Sequence, residues 1–194
     1  MLKKIILISF VLINTIIAQD KTNQYIDETK LNNIDINFFV GADAGYGYLD
    51  ATNGIDKTNK SYSFYAGLPI WHFELIAKKK KQIANDFDLR SKSLVLNIPF
   101  DGSWTRSIYF GFVAGKGTVT WKNKTIDNIS LSGKEDDGDF YGVHIGEKYK
   151  FGRDFFVRTE LEFTTNNFDT TINSTTNTIL KNYTEFIYSV EYRF

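Results

Sequence analysis

EFIYSVEYRF, residues 185–194, decides the fold. Phe186, Tyr188, Val190, Tyr192 and Phe194 are apolar, and Glu185, Ile187, Ser189, Glu191 and Arg193 stand between them. Successive side chains of a strand point to opposite faces. One face of this segment is therefore aromatic and aliphatic, while the other carries charge. Such a strand needs an apolar medium on one side and polar company on the other.

The same period of two recurs upstream. Phe38, Val40, Ala42, Ala44, Tyr46 and Tyr48 alternate with Phe39, Gly41, Asp43, Gly45 and Gly47. Further alternating runs fall at 62–68, 71–77, 93–100, 108–115, 141–149 and 155–163, so the sequence predicts eight strands. Most approach the roughly 9–11 residues that a tilted membrane strand requires. The connections alternate too. GLPI (67–70), DGSW (101–104) and FGRD (151–154) are short, whereas 50–59, 78–86, 122–138 and 164–177 are long and polar. Short turns at one end and long loops at the other are the pattern of bacterial outer-membrane barrels. Aromatics sort the same way. Trp71, Phe100, Trp104, Phe151, Phe155 and Phe194 lie beside the short turns, and Tyr46, Tyr48, Tyr62 and Trp121 near the long loops. Two such girdles suit the two membrane interfaces.

The start of the chain supports export. MLKKIILISFVLINTIIA, residues 1–18, has two lysines, a short apolar run and a small residue before a polar stretch, the marks of a secretory signal peptide. Its apolar run is shorter than the roughly 20 residues of a spanning helix. Residues 19–34 are polar and unpatterned, a flexible periplasmic leader, and 35–194 form the expected barrel. There is no cysteine, which excludes disulfides and thiolate metal sites, and no cofactor or metal is expected. A formal net charge of zero gives no electrostatic case for nucleic acid.

A soluble barrel that holds a ligand needs an apolar inside. Here the weaker face carries Asp43, Glu74, Arg158, Glu160, Glu162, Glu185, Glu191 and Arg193, which cannot all sit unpaired in a dry core. A soluble β-sandwich with its charges in water stays as the alternative. Parity also places Glu147 on the apolar face, where a bulge or an interfacial position would accommodate it.

The terminal stretch resembles the C-terminal recognition strand of bacterial outer-membrane β-barrels, an alternating aromatic strand ending in Phe. The mature chain is similar to the small eight-stranded outer-membrane family of the OmpA barrel domain and OmpX. The resemblance implies an all-β fold, an eight-stranded antiparallel transmembrane β-barrel in up-and-down meander order, seated in the Gram-negative outer membrane. It also implies that the barrel-assembly machinery reads Phe186, Tyr188, Val190, Tyr192 and Phe194 as an assembly signal. No peptidoglycan-binding domain of the OmpA kind follows, so anchoring to the cell wall is not implied.

An eight-stranded barrel is just wide enough inside for its own side chains. Asp43, His72, Glu74, His144, Lys148, Arg158, Glu160, Glu162, Glu185, Glu191 and Arg193 are expected to form a paired network that plugs it. Acids outnumber bases in that set, so the alternative, a narrow pore, should prefer cations. An enzyme acting on membrane lipid needs a nucleophile beside a base at the membrane face. His144 is followed by Gly146 and His72 by Glu74, and parity turns both His inward, so no catalytic role is expected. Lys78, Lys79, Lys80, Lys81, Arg90 and Lys92 are placed at the outer rim, level with lipopolysaccharide phosphates. KEDDGD, 134–139, lacks the ligand spacing of a calcium loop. The Asn- and Thr-rich loop 164–177 is a candidate for an extracellular ligand. The expectation is a monomer with a structural or surface-interaction role.

Overall fold

The computed structural model describes residues 38–51, 55, 57–100, 106–122, 124–126, 128–172 and 175–194. The expected signal peptide, the leader and Trp104 lie outside them. Numbered in chain order, the strands are β1 (Phe39–Ala51), β2 (Thr58–Ile70), β3 (Phe73–Ile83), β4 (Phe87–Pro99), β5 (Arg106–Trp121), β6 (Thr125–Ile126), β7 (Ile129–Ser130), β8 (Glu135–Phe151), β9 (Phe155–Ile172) and β10 (Thr175–Arg193). The eight long strands form one closed barrel in the order β1-β10-β9-β8-β5-β4-β3-β2, and β6-β7 is a small separate hairpin. All the pairings are antiparallel. Closure disposes of the sandwich, which would leave two sheets with free edges.

The register fixes the shape. Paired residues run round the wall from Phe39 through Gly67, Ile76, Val95, Val113, Gly142, Thr164 and Tyr183 back to Leu49 on β1. The circuit thus returns ten residues further along the strand where it began. With strands about 4.8 Å apart and about 3.3 Å of rise per residue, that stagger tilts the strands by roughly 40°.

The last strand does what its pattern requires. β10 pairs with β9 on one side and β1 on the other. Phe194 N–H donates to the Phe38 carbonyl (3.1 Å), and the two rings stack with centroids 4.3 Å apart. Tyr188, Val190 and Phe194 face outward and Glu185, Ser189 and Glu191 inward.

The outer surface is a band of exposed apolar side chains, among them Val40, Leu75, Leu94, Phe112, Ile145 and Val190. Trp71 (89% exposed), Phe100, Phe151, Phe155 and Phe194 form its short-turn rim, and Tyr46, Tyr48 and Tyr62 project at the other end. Trp121 does not join that girdle: it lies inside the barrel, 2% exposed. Its position is odd in a strand whose even-numbered residues face out. Glu147 faces outward between Ile108 and Thr159, close to the short-turn rim where acids are tolerated.

The strands run further than the alternation of apolar residues suggests. β3 continues through the lysine run to Ile83, and β9 and β10 continue through the Thr- and Asn-rich stretch to Ile172 and from Thr175. These segments alternate as strands, but with polar residues on both faces. Threonine's β-branched side chain fits the pleat and carries the sheet past the apolar band.

Candidate functional site

The lumen is filled in layers. Nearest the short turns, Glu74 on β3 and Glu191 on β10 are fully buried. Lys148 Nζ donates to Glu74 Oε1 (2.8 Å) and Glu191 Oε1 (2.7 Å). Arg158 pairs with Glu74 Oε2 at 3.0 Å and also bonds Glu191. Arg193 Nε donates to Glu191 Oε1 (2.9 Å), and its other arm pairs with Glu74. Aromatic faces bracket these cations. Lys148 and Arg193 each lie 4.6 Å from the Phe156 ring centroid, and Arg158 lies 5.3 Å from that of Phe39.

In the middle layer Tyr109 donates its hydroxyl to Glu160 Oε1 (2.6 Å), and Lys78 sits 3.0 Å from Asp43 Oδ2. His144 Nε2 is 2.7 Å from Asn97 Oδ1. Gly111 makes room for that imidazole, since a Cβ there would come within 2.1 Å of His144 Nε2. The layer above is held by Lys80, which donates to Glu162 (2.8 Å) and Glu185 (2.5 Å). Ser61 donates to Glu185 as well.

Above these layers the lumen becomes mainly apolar. Leu49, Phe87, Leu89, Val119, Trp121, Phe168 and Leu180 pack together across the loop-side mouth, joined by Ile55, Ile126 and Leu131. Trp121 Nε1 donates to Asp136 Oδ2 (2.7 Å), which also accepts from Thr170 Oγ1 (2.6 Å). The indole N–H thus has a partner and the ring can stay buried.

The structure brings together Asp43, Glu74, His144, Lys148, Arg158, Glu160, Glu162, Glu185 and Glu191 inside the wall, and half-buried Arg193 reaches in to pair with Glu74 and Glu191. His72 is not among them; it is exposed in the two-residue turn that begins at Trp71, whose φ is 52°. That turn breaks the period of two on which its inward placement rested. Lys78 and Lys80 also depart from expectation, since they point into the lumen and only 7% of each is exposed. Because β3 continues through KKKK, the run divides by parity, leaving Lys79 and Lys81 outside. Arg90 and Lys92 face outward from β4. Tyr65, Tyr109, Asn97 and Ser61 also belong to the interior. Their signal in the sequence was their shared parity with Ser63, Gly111, Val95 and Ser63 respectively, residues of the weaker face.

No protein-family model matches the chain, and no curated protein matches it. Solved structures do. Neisserial surface protein A is 16% identical, with a TM-score of 0.63, over 81% of this chain and 97% of its own. Ail, the attachment invasion locus protein of Yersinia pestis, solved with the heparin analogue sucrose octasulfate, is 12% identical with a TM-score of 0.51. That match covers 82% of this chain and 99% of Ail. The N-terminal β-barrel domain of Pseudomonas aeruginosa OprF is 16% identical with a TM-score of 0.51, over 80% of this chain and 97% of that domain. By fold and by surface, this is an outer-membrane β-barrel. Its apolar band faces lipid, and its charges face one another.

Proposed function

We propose that this barrel is closed to transport and works from its outer surface, as a stabiliser of the outer membrane or a surface-interaction protein. The observation that carries the reading is the lumen of paired charges beneath an apolar seal. Among the described residues of the charged layers, the acids are Asp43, Glu74, Glu160, Glu162, Glu185 and Glu191, and the bases Lys78, Lys80, Lys148, Arg158 and Arg193. With Lys78 and Lys80 counted, the excess of acids falls to one, and the basis for a cation-preferring path goes with it. An apolar constriction above the charged layers opposes ion passage further.

The same geometry argues against chemistry on lipid. His144 is spent on Asn97 inside the wall, out of reach of an acyl chain, and a nucleophile needs its base within hydrogen-bond distance. The protein is proposed to act as a monomer, with β10 presented to the barrel-assembly machinery during insertion.

The test is single-channel recording of the refolded protein in planar bilayers, with insertion checked separately by protease protection. A silent bilayer is the expected result. Discrete cation-selective steps that shrink in Glu160→Gln or Glu185→Gln would overturn the closed-barrel reading.

A further inference from the structure

On β3, β4 and β5 the outward face above the apolar band is cationic. Lys79 stands directly opposite Lys92, and Lys92 directly opposite Lys116. One pleat nearer the loops, Lys81 faces Arg90. Like charges at directly paired positions repel and destabilise a sheet. Asp139 lies 3.6 Å from Lys116 and Asp88 3.4 Å from Lys81. Among the described residues no carboxylate pairs with Lys79, Lys92 or Arg90. Allowing for the strand tilt, the row lies level with Tyr46, Tyr62 and Tyr141, so it interrupts the loop-side girdle at headgroup depth.

One pleat below the lysines the wall is cut away. Ala77 and Ala114 flank Leu94 in direct register, and the line continues through Ala66. These short side chains leave an open furrow of about 1020 Å³ on the lipid side, bordered by Phe64 and roofed by Lys79, Lys92 and Lys116. A lysine row above an apolar furrow matches one kind of molecule, a lipid whose head carries the anions and whose chain fills the groove. Three cations on three adjacent strands span about 10 Å, two strand spacings, and one phosphodiester would neutralise a single one of them. Lysine stems can lie along the furrow while their ammonium groups reach the headgroup plane.

We propose that this face binds the multiply phosphorylated glycolipid of the outer leaflet, with phosphates on Lys79, Lys92 and Lys116 and an acyl chain over Ala77 and Ala114. The inference rests on the outer-membrane reading, with the loops on the outside, and not on whether the lumen conducts.

The probe is purified bisphosphorylated lipid A, titrated into the full-length protein refolded in neutral detergent, with bound lipid read by native mass spectrometry. Each lysine near an anionic headgroup contributes about fivefold, so K79Q/K92Q/K116Q should bind roughly a hundredfold more weakly. Heat-modifiable gel migration checks that the triple variant folds, and relief of the like-charge row should leave its melting in lipid-free detergent no lower. Ala77→Phe with Ala114→Phe fills the furrow without altering charge and should also weaken binding, as should lipid A stripped of phosphate. Equal binding by the triple variant and the parent would overturn the site. Equally tight binding of phosphatidylglycerol would overturn the glycolipid assignment, and displacement by millimolar inorganic phosphate would reduce the face to a simple anion site. Conductance in planar bilayers with lipid binding intact would remove the closed-barrel reading alone.

Discussion

Glu74 and Glu191 face the lumen from β3 and β10 and hold the same cations: Lys148 bridges them at 2.8 and 2.7 Å, and Arg158 pairs with both. Neither carboxylate touches water, so each is tolerable only while its partners are in place.

Glu191→Gln should therefore be costly. It leaves Lys148, Arg158 and Arg193 with one shared carboxylate in place of two. Breaking a buried pair in this way costs about 3–5 kcal/mol. Urea unfolding in micelles, followed by the heat-modifiable gel shift, measures it; an unchanged midpoint would refute the shared role of Glu191.

Trp121→Ala removes the largest side chain of the loop-side seal and its bond to Asp136. The cavity should lower stability by about 3–5 kcal/mol. Planar bilayers should stay silent nonetheless, because the Lys80, Lys78 and Lys148 layers below are untouched. Stable channels in this variant would make the apolar seal the sole barrier.

Phe112→Arg tests the membrane face. Phe112 is about half exposed in the middle of β5, among Leu96 and Val143 on the neighbouring strands. An arginine facing the bilayer midplane costs about 2–4 kcal/mol. Folding yield into phosphatidylcholine vesicles should fall sharply, whereas His72→Arg, in the exposed turn, should fold like the parent.

Gly111→Val sets a Cβ against the His144 imidazole, which must then leave Asn97. Overpacking of this kind costs about 1–3 kcal/mol. The pair Gly111→Val and His144→Ala should recover part of the loss, a coupling that a double-mutant cycle reads directly.

What the sequence carried was whatever follows from a period of two. The eight strands, the closing strand at Phe186–Phe194, nine of the interior charges and His144 rest on parity. Parity also explains the failures. His72 shares the parity of Glu74, but it lies in the turn before β3, where the count no longer holds. Lys78 and Lys80 are hidden because four consecutive lysines offer no contrast between faces, and β3 runs on past the point where that contrast ends. The apolar seal was illegible for a different reason. Leu49, Leu89, Val119, Phe168 and Leu180 come from five strands, and only closure with the observed stagger brings their ends to one mouth.

The seam between β1 and β10 has a kinetic meaning. Phe39 pairs with Arg193, so nearly the whole length of the barrel region separates two residues that must meet. Contacts so distant along the chain make folding slow. Until they form, two unpaired strand edges face hydrocarbon with no water to satisfy them. No subset of the eight strands escapes that condition. The barrel should therefore assemble and melt as a single cooperative unit, with sheltering of the open edges as the step at which insertion succeeds or stalls.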